Sequence, residues 1–511
     1  MFEVTCRDGL GRIGKLRTAH GEVTTPTLMP VINPADVFIS PVEMRKEFGA
    51  ELMMTNAYLT RCHFGDRAKK SKIHGIIGYD GPVMTDSGGY QILRYGDIEV
   101  TPEEIVKYQE AIASDIATIL DIPTGAHSTK EKAEETVRVT LERARQAVEL
   151  RSNPDVMWCG PVQGGLFPDL VAMSAREMGK LDFQVHAIGS PVELMENYRY
   201  AELVELVIAA KQNLPIERPV HLFGAGHPAM LSLAVVMGCD LFDSAAYVLY
   251  ARDERYMTSE GTLRLEELSW LPCECPVCTG TSADELRRLP EDEKTKLLAR
   301  HNLHVSFGEI RRIRQAIAEG RLWEHVQVRC RCHPRLLDGF RRLLQHSEFI
   351  ERFDPVSKPS AFYYSGEESA GRPEVTRHVR RLERYEPPQL PILALLPAFG
   401  RTTPELEDPG STHLVRLIPP FGAVPEELEE VYPLWQFEVP RELDDEQMKT
   451  VVESLSKYIK RHGGNYKKVV LYNAEEWKDS LVKACDPVKE KLEIRDAHPN
   501  QHTFYPPQPI P

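Results

Sequence analysis

From about residue 25 to 245, short apolar runs rich in β-branched residues alternate with stretches whose apolar positions recur every three or four residues. A glycine or polar residue marks each junction, and the alternation predicts repeated β/α units. The clearest unit opens at Thr101, followed by Pro102, Glu103 and Glu104: an N-cap, a first-turn proline and a capping-box acid. Ile105, Tyr108 and Ile112 then share a helical face, and the run IATILD predicts a buried strand ending on Asp121. Ser128 with Glu131 predicts a second capped start, for a helix reaching about Leu150 before the strand VMWCGPVQ.

Eight strands are predicted in all, near Leu28, Leu52, Val83, Ile119, Met157, Val185, His221 and Leu241. The fold class expected is α/β, an eight-stranded parallel β/α (TIM-type) barrel, with an open doubly wound sheet as the alternative because periodicity does not show closure. No glycine-rich dinucleotide fingerprint follows the first strand. A parallel barrel gathers its chemistry at its strand ends, and the residues at or just beyond them are Asn56, Asp86, Asp121, Gln163, Gly189 and Asp243.

The expected domains are a barrel over residues 1–350 with a cysteine-bearing zinc module inserted at 265–345, then small α+β modules at 360–439 and 440–511. A basic helix from Val375 to Tyr385 and the runs ILALLP, HLVRLIP, WQFEVP and KVVLYN define these modules, with a boundary near Pro440. The tail YPPQPIP is expected to be extended.

Composition narrows the class without changing it. The chain has 511 residues, 42% hydrophobic and 27% charged, a globular mixture that excludes disordered and collagen-like classes. No run approaches the ~18 apolar residues of a membrane span, and the start MFEVTCRDGLGRIGK has no apolar signal core, so a cytoplasmic protein without membrane contact is expected. Its ten cysteines should then be reduced or metal-bound. A net charge of −14 argues against a protein that coats nucleic acid. Residues 311–342 run the other way, with nine Arg against three acids and a net of +6, which suits either phosphate contacts or a solvated helix face.

Cys273, Cys275 and Cys278 in LPCECPVC, with His301 further on in ARHNLH, form a Cys3His set that would close a tetrahedral structural zinc site, one Zn2+ per chain. His304 is the rival fourth ligand. Cys330 and Cys332 have no nearby partner pair and read as buried or idle thiols. Asp86 in VMTDSGGYQ and Asp243 in LFDSAAY are a carboxylate pair able to divide glycosyl chemistry, one attacking the anomeric carbon and one moving protons. Taken singly, each is also a candidate N-cap or ion-pair partner. Asp121 and Gln163 suit a purine-like edge, and Tyr90 and Phe223 could sandwich a heterocycle, core packing being the alternative for both aromatics.

TDSGGYQ, LDIPT, PVQGG, HAIGS, HLFGAG, FDSAAY and CECPVC with His301 occur in an order that resembles the tRNA-guanine transglycosylases over roughly residues 1–385. YGDIEVTPEEIVKYQ and YYSGEESAGRPEV resemble the archaeal branch. The resemblance implies exchange of guanine at position 15 of the tRNA D arm for 7-cyano-7-deazaguanine, a step toward archaeosine. It implies Asp243 as the nucleophile of a covalent ribosyl intermediate and Asp86 as the acid/base. Asp121, Gln163 and the Gly189 backbone would recognise the base, Tyr90 would stack on it, and Cys273, Cys275, Cys278 and His301 would bind zinc. It also implies a homodimer. Archaeal members usually end in an RNA-binding PUA domain, which this chain, ending at Pro511, is expected to lack. Either a separate PUA-domain protein or the remaining modules would then hold tRNA. A retaining glycoside hydrolase and a non-exchanging tRNA-binding or archaeosine-forming relative are the competing readings.

Overall fold

In the computed structural model, which describes residues 2–89, 100–397, 406, 408–440, 444–473 and 478–496, the chain opens with an antiparallel sheet of β1 (Phe2–Asp8), β2 (Gly11–Thr18) and β3 (Gly21–Thr25). All eight predicted strands follow: β4 (Thr27–Pro30), β5 (Met53–Asn56), β6 (Val83–Asp86), β7 (Ile116–Thr118), β8 (Met157–Val162), β9 (Val185–Ile188), β10 (Val220–Leu222) and β11 (Leu241–Ser244). They form one sheet in the order β4-β11-β10-β9-β8-β7-β6-β5, every pair parallel. Beyond β4, Val31 bridges Met54 of β5 in parallel, and the Ile32 N–H donates to the Met54 carbonyl at 2.8 Å. That contact joins the two ends of the sheet and makes it a barrel instead of an open sheet. The strands were legible because helices cover their outer face, so both faces are apolar.

Met29, Leu52, Met54, Met84, Ile116, Val185 and Leu241 pack in one buried cluster with Leu16 of β2 and Val23 of β3. The N-terminal sheet therefore plugs one end of the barrel, and two buried carboxylates fasten it there. Asp240, just before β11, accepts from Arg12 Nε and Nη2 at 2.8 Å each and from the Val220 N–H at 2.8 Å. Asp115, just before β7, hydrogen-bonds His20 Nδ1 and His74 Nε2 at 3.0 Å each and accepts from the backbone N–H groups of His20 and Val83 at 2.9 Å each. The opposite, C-terminal end of the strands is open.

Local details divide. Thr101 caps the helix Pro102–Ala111 through a reciprocal box with Glu104, as expected. The helix Lys130–Leu150 is capped by Thr129 and not by Ser128, whose N–H closes a turn onto the Gly125 carbonyl; the chain is free to enter the helix only one residue later. β7 stops at Thr118, so Asp121 lies in the turn beyond the strand. After β11 come a hairpin (Arg255–Met257 with Thr262–Arg264), the cysteine loop, the long helix Glu291–Glu319, and helices Leu322–Cys330 and Pro334–Leu344.

The chain divides into two compact units, Met1–His346 and Ser347–Pro511. The second is α+β: a five-stranded sheet in the order Gly422–Pro425, Thr412–Ile418, Ile392–Pro397, Lys468–Asn473, Leu492–Asp496. The helix Asp445–His462 buries Val451, Leu455 and Ile459 against Leu393, Val415 and Val469 of that sheet. Strands from both sides of Pro440 share one layer, so the two modules separated there in the sequence reading contribute to a single sheet. The run WQFEVP supplies only Phe437–Glu438, paired with Phe362–Tyr363 in a separate ribbon. The Pro-rich tail lies outside the described residues. Among the described residues no helix is long and apolar enough to cross a membrane.

Candidate active site

A cavity of about 1250 Å3 opens at the C-terminal end of the barrel, with Asn56, Asp86, Asp121, Gln163, Phe223 and Asp243 in its wall. Each stands on or just beyond a different strand, which is how a parallel barrel brings residues remote in sequence together.

Asp86 ends β6 and is in register with Asn56, the end of β5. Asn56 Nδ2 donates to Asp86 Oδ2 at 2.9 Å, while Asn56 Oδ1 accepts the Leu59 N–H at 2.9 Å and caps the helix Ala57–Phe64. The cap fixes which way the amide faces, and so presents its donor to the carboxylate. The Gly88 N–H reaches the same oxygen at 3.3 Å. These donors do not offset the surroundings: burial first, then the neighbouring Asp121 and Asp243, push Asp86 up to about 7.

Asp121 and Gln163 are buried together. Gln163 Nε2 donates to Asp121 Oδ2 at 2.6 Å, and Gln163 Oε1 accepts the Thr124 N–H at 3.0 Å and the Ser190 hydroxyl at 2.9 Å. Burial raises Asp121 to about 6 although the Gln163 hydrogen bond works against it. A Cβ on Gly189 would collide with the Gln163 amide, and one on Gly89 with the Asp121 carboxylate, so close approach demands glycine at both. The Gly189 N–H donates to the Val162 carbonyl at 2.9 Å.

Asp243, on β11, accepts at Oδ1 from His221 Nε2 at 2.8 Å and from the Gly224 N–H at 2.7 Å. His221 lies buried on β10, with the Phe223 ring edge-on to it at 4.6 Å. Sequence reasoning passed over His221; its only signal is an imidazole inside the otherwise apolar strand VHL. Tyr90 lies outside the described residues.

The three Sγ atoms of Cys273, Cys275 and Cys278 and the ring nitrogen of His301 lie within 4.8 Å of one another and could hold a metal ion. His301 Nε2 is engaged with the Met257 carbonyl at 2.8 Å, which leaves Nδ1 facing Cys275 and Cys278 at 3.5 and 3.3 Å. A backbone carbonyl that selects the tautomer of a ligating histidine is a common support for a metal site. The Tyr256 ring stacks on His301 at 3.7 Å and its hydroxyl meets Cys278 Sγ at 3.2 Å. His304 pairs with Glu47 at 3.2 Å, so the fourth member of the group is His301. Cys330 is buried and Cys332 partly so, and neither joins the group.

Much of the basic run is occupied internally. Arg329 pairs with Glu309 at 2.8 Å, Arg342 with Glu205 at 2.6 Å and Arg335 with Asp338 at 3.1 Å, while Arg314 donates to the carbonyls of Thr24 and Pro26. Its formal charge overstates what it offers to phosphates.

Comparison with known proteins gives two family matches: the queuine tRNA-ribosyltransferase family over residues 6–335 and a domain of unknown function over residues 375–503. A tRNA-guanine(15) transglycosylase of Methanosarcina mazei is 48% identical over 462 residues, 90% of this chain and 91% of that protein. The protein of the same name from Methanothermobacter thermautotrophicus is 47% identical over 87% of this chain and 69% of its own length. That of Methanobrevibacter smithii is 43% identical over 97% of this chain and 79% of its own.

Proposed function

The chain belongs to the queuine tRNA-ribosyltransferase family, and from that premise we propose that it exchanges guanine at position 15 of the tRNA D arm for 7-cyano-7-deazaguanine, toward archaeosine, by double displacement. The observation that carries the chemistry is the unequal treatment of two carboxylates on one cavity. Asp86, pushed up to about 7 by burial and two neighbouring carboxyls, holds a proton readily near neutrality with only a neutral amide and a distant N–H beside it, while Asp243 has an imidazole, His221, and the closer Gly224 N–H on its Oδ1. Two carboxyl groups in such different surroundings are suited to the roles of acid and nucleophile.

In this reading Asp243 Oδ2, the oxygen opposite the one held by His221 and Gly224, attacks C1′ of the target nucleoside. The glycosidic electron pair leaves with guanine, which takes the Asp86 proton. Asp86, now a carboxylate, accepts the N9 proton of the incoming base, and N9 attacks C1′ to release Asp243. Two displacements retain configuration, and the ester conserves the bond without ATP. Asp121 accepts from the N–H groups of the purine edge, oriented by Gln163. The target nucleotide must leave its stack to reach the barrel, and the enclosing wall must keep water from the ester.

The thiolate-rich donor set suits zinc, held by Cys273, Cys275, Cys278 and His301 with no open position for substrate. Zinc there would supply structural cross-linking, tying the cysteine loop to the helix Glu291–Glu319.

The test is release of radiolabelled guanine from position 15 of tRNA. Release should require Asp243 and an incoming base, either 7-cyano-7-deazaguanine or unlabelled guanine, and denaturing electrophoresis should trap tRNA covalently on the protein. An adduct mapped to another residue, or cleavage of a sugar polymer instead of base exchange, would overturn the proposal.

A further inference from the structure

Tyr198 is placed where the fold disfavours it. The short helix Val192–Glu196 ends in a turn in which the Tyr198 N–H donates to the Met195 carbonyl at 3.2 Å and the Arg199 N–H to the Leu194 carbonyl at 2.8 Å. In that turn the residue at Tyr198 takes a left-handed backbone, here with φ of 54°, and glycine is its usual occupant. The ring gains little from burial, since Tyr198 is 53% exposed. A bulky residue kept in a strained conformation and left in solvent points to a ligand more than to folding.

The ring is not loose. It stacks on the His333 imidazole with centroids 4.7 Å apart and planes 17° apart. His333 is itself fixed, because its Nδ1 accepts the Arg335 N–H at 3.2 Å and caps the helix Pro334–Leu344. Tyr198 and His333 line the same cavity as Asp86 and Asp243. On that wall Arg255 lies 3.7 Å over the Tyr250 ring and pairs with Asp253 at 2.8 Å.

We propose that Tyr198, backed by His333, is a stacking platform for the tRNA nucleotide adjacent to the one extruded into the barrel. The inference rests on the base-exchange reading above. Once the target nucleotide leaves its stack, its neighbour loses a face, and an aromatic ring held at the rim replaces that contact. Stacking on an aromatic ring tolerates any base, so the platform would add affinity without adding sequence preference.

The experiment measures steady-state guanine exchange with tRNA and free guanine varied in turn, on wild type, Tyr198→Gly and Tyr198→Phe. Glycine relaxes the left-handed backbone, so that variant should melt at or above the wild-type temperature while losing the platform. Its KM for tRNA should rise about tenfold, within the range found when stacking aromatics are truncated. The KM for guanine should not move, and Tyr198→Phe should restore the wild-type values. An unchanged tRNA KM in Tyr198→Gly, a rise in the guanine KM instead, or a failure of phenylalanine to rescue would each overturn the platform. A wild-type chain that exchanges no guanine would instead strike the proposed function itself, so the two failures are told apart.

Discussion

Asp115 and Asp240, at the plugged end of the barrel, and Asp121, at the open end, are all at most 4% exposed. Their surroundings differ in kind. Asp240 meets an arginine through two nitrogens and a backbone N–H, and Asp115 meets two imidazoles and two backbone N–H groups. Burial alone would raise Asp115, but the bonds from His74, the Val83 N–H and His20 outweigh it and hold this carboxyl below its ordinary value. At the other end Asp121 has Gln163, Asp86 has Asn56 and a longer bond from the Gly88 N–H, and both are pushed up, to about 6 and about 7. Depth of burial does not distinguish structural from reactive carboxyls here; the completeness of their partners does.

The strongest way to break this contrast is to remove one aspartate from each end. Asp240→Ala leaves Arg12 buried without its counter-charge and should lower unfolding stability by about 3–5 kcal/mol. Asp243→Asn should leave urea stability within about 1 kcal/mol of wild type yet slow exchange by at least about 1000-fold, a barrier change of roughly 4 kcal/mol. The two measurements should therefore separate cleanly. An Asp240→Ala protein as stable as wild type, or an Asp243→Asn protein that unfolds early, would erase the division between a structural and a reactive end.

This division explains what could be read from residues alone. Buried parallel strands are apolar on both faces, so β4 to β11 stand out as runs, and an acid or amide at the end of such a run is conspicuous: Asp86, Asp121, Gln163 and Asp243 were found that way. Asn56 stands out in the same way, but the contacts that tune these residues do not. His221 supports Asp243 from a neighbouring strand, and Asn56 is joined to Asp86 by sheet register, relations that no local pattern encodes. The plugged end was equally hidden, because Asp115 is assembled with His20 and His74 from separate elements. Pro440 reads as punctuation between modules, whereas pairing between Ile392–Pro397 and Lys468–Asn473 passes over it through non-local hydrogen bonds.

A pH-dependent effect sharpens the same contrast. Because Asp86 binds its proton more tightly in the folded state, the native protein loses stability relative to an unfolded carboxyl as pH rises from about 4 to about 7, and the loss is complete above that. Asp86→Asn removes this penalty and should be more stable than wild type by up to about 4 kcal/mol at pH 8, with the difference vanishing near pH 4. Asp115, whose carboxyl is lowered, behaves in reverse: its contribution is present above the unfolded value near 4 and fades as pH falls through the folded one. Urea titrations of wild type and Asp86→Asn at pH 4.5 and pH 8 check the sign. A difference that does not change between them would mean that burial of Asp86 is not held against its charge.

The smallest expected change in stability is the most informative about how the reactive end is tuned. Asn56→Asp keeps an oxygen to accept the Leu59 N–H, and aspartate caps a helix about as well as asparagine, so near pH 4, where the Asp86 site holds its proton in either protein, stability should move by less than about 0.5 kcal/mol. What is lost is the Nδ2 donor 2.9 Å from Asp86 Oδ2. A second carboxylate takes its place, and two carboxyl groups at that distance share a proton and give it up at higher pH than either would alone. The alkaline fall of exchange should accordingly shift upward by about one pH unit, whereas Asn56→Ala should lose about 1 kcal/mol of helix capping as well. If the profile of Asn56→Asp coincides with that of wild type, Asp86 owes its raised value to burial and to Asp121 and Asp243 alone, and the amide at Asn56 serves the helix, not the chemistry.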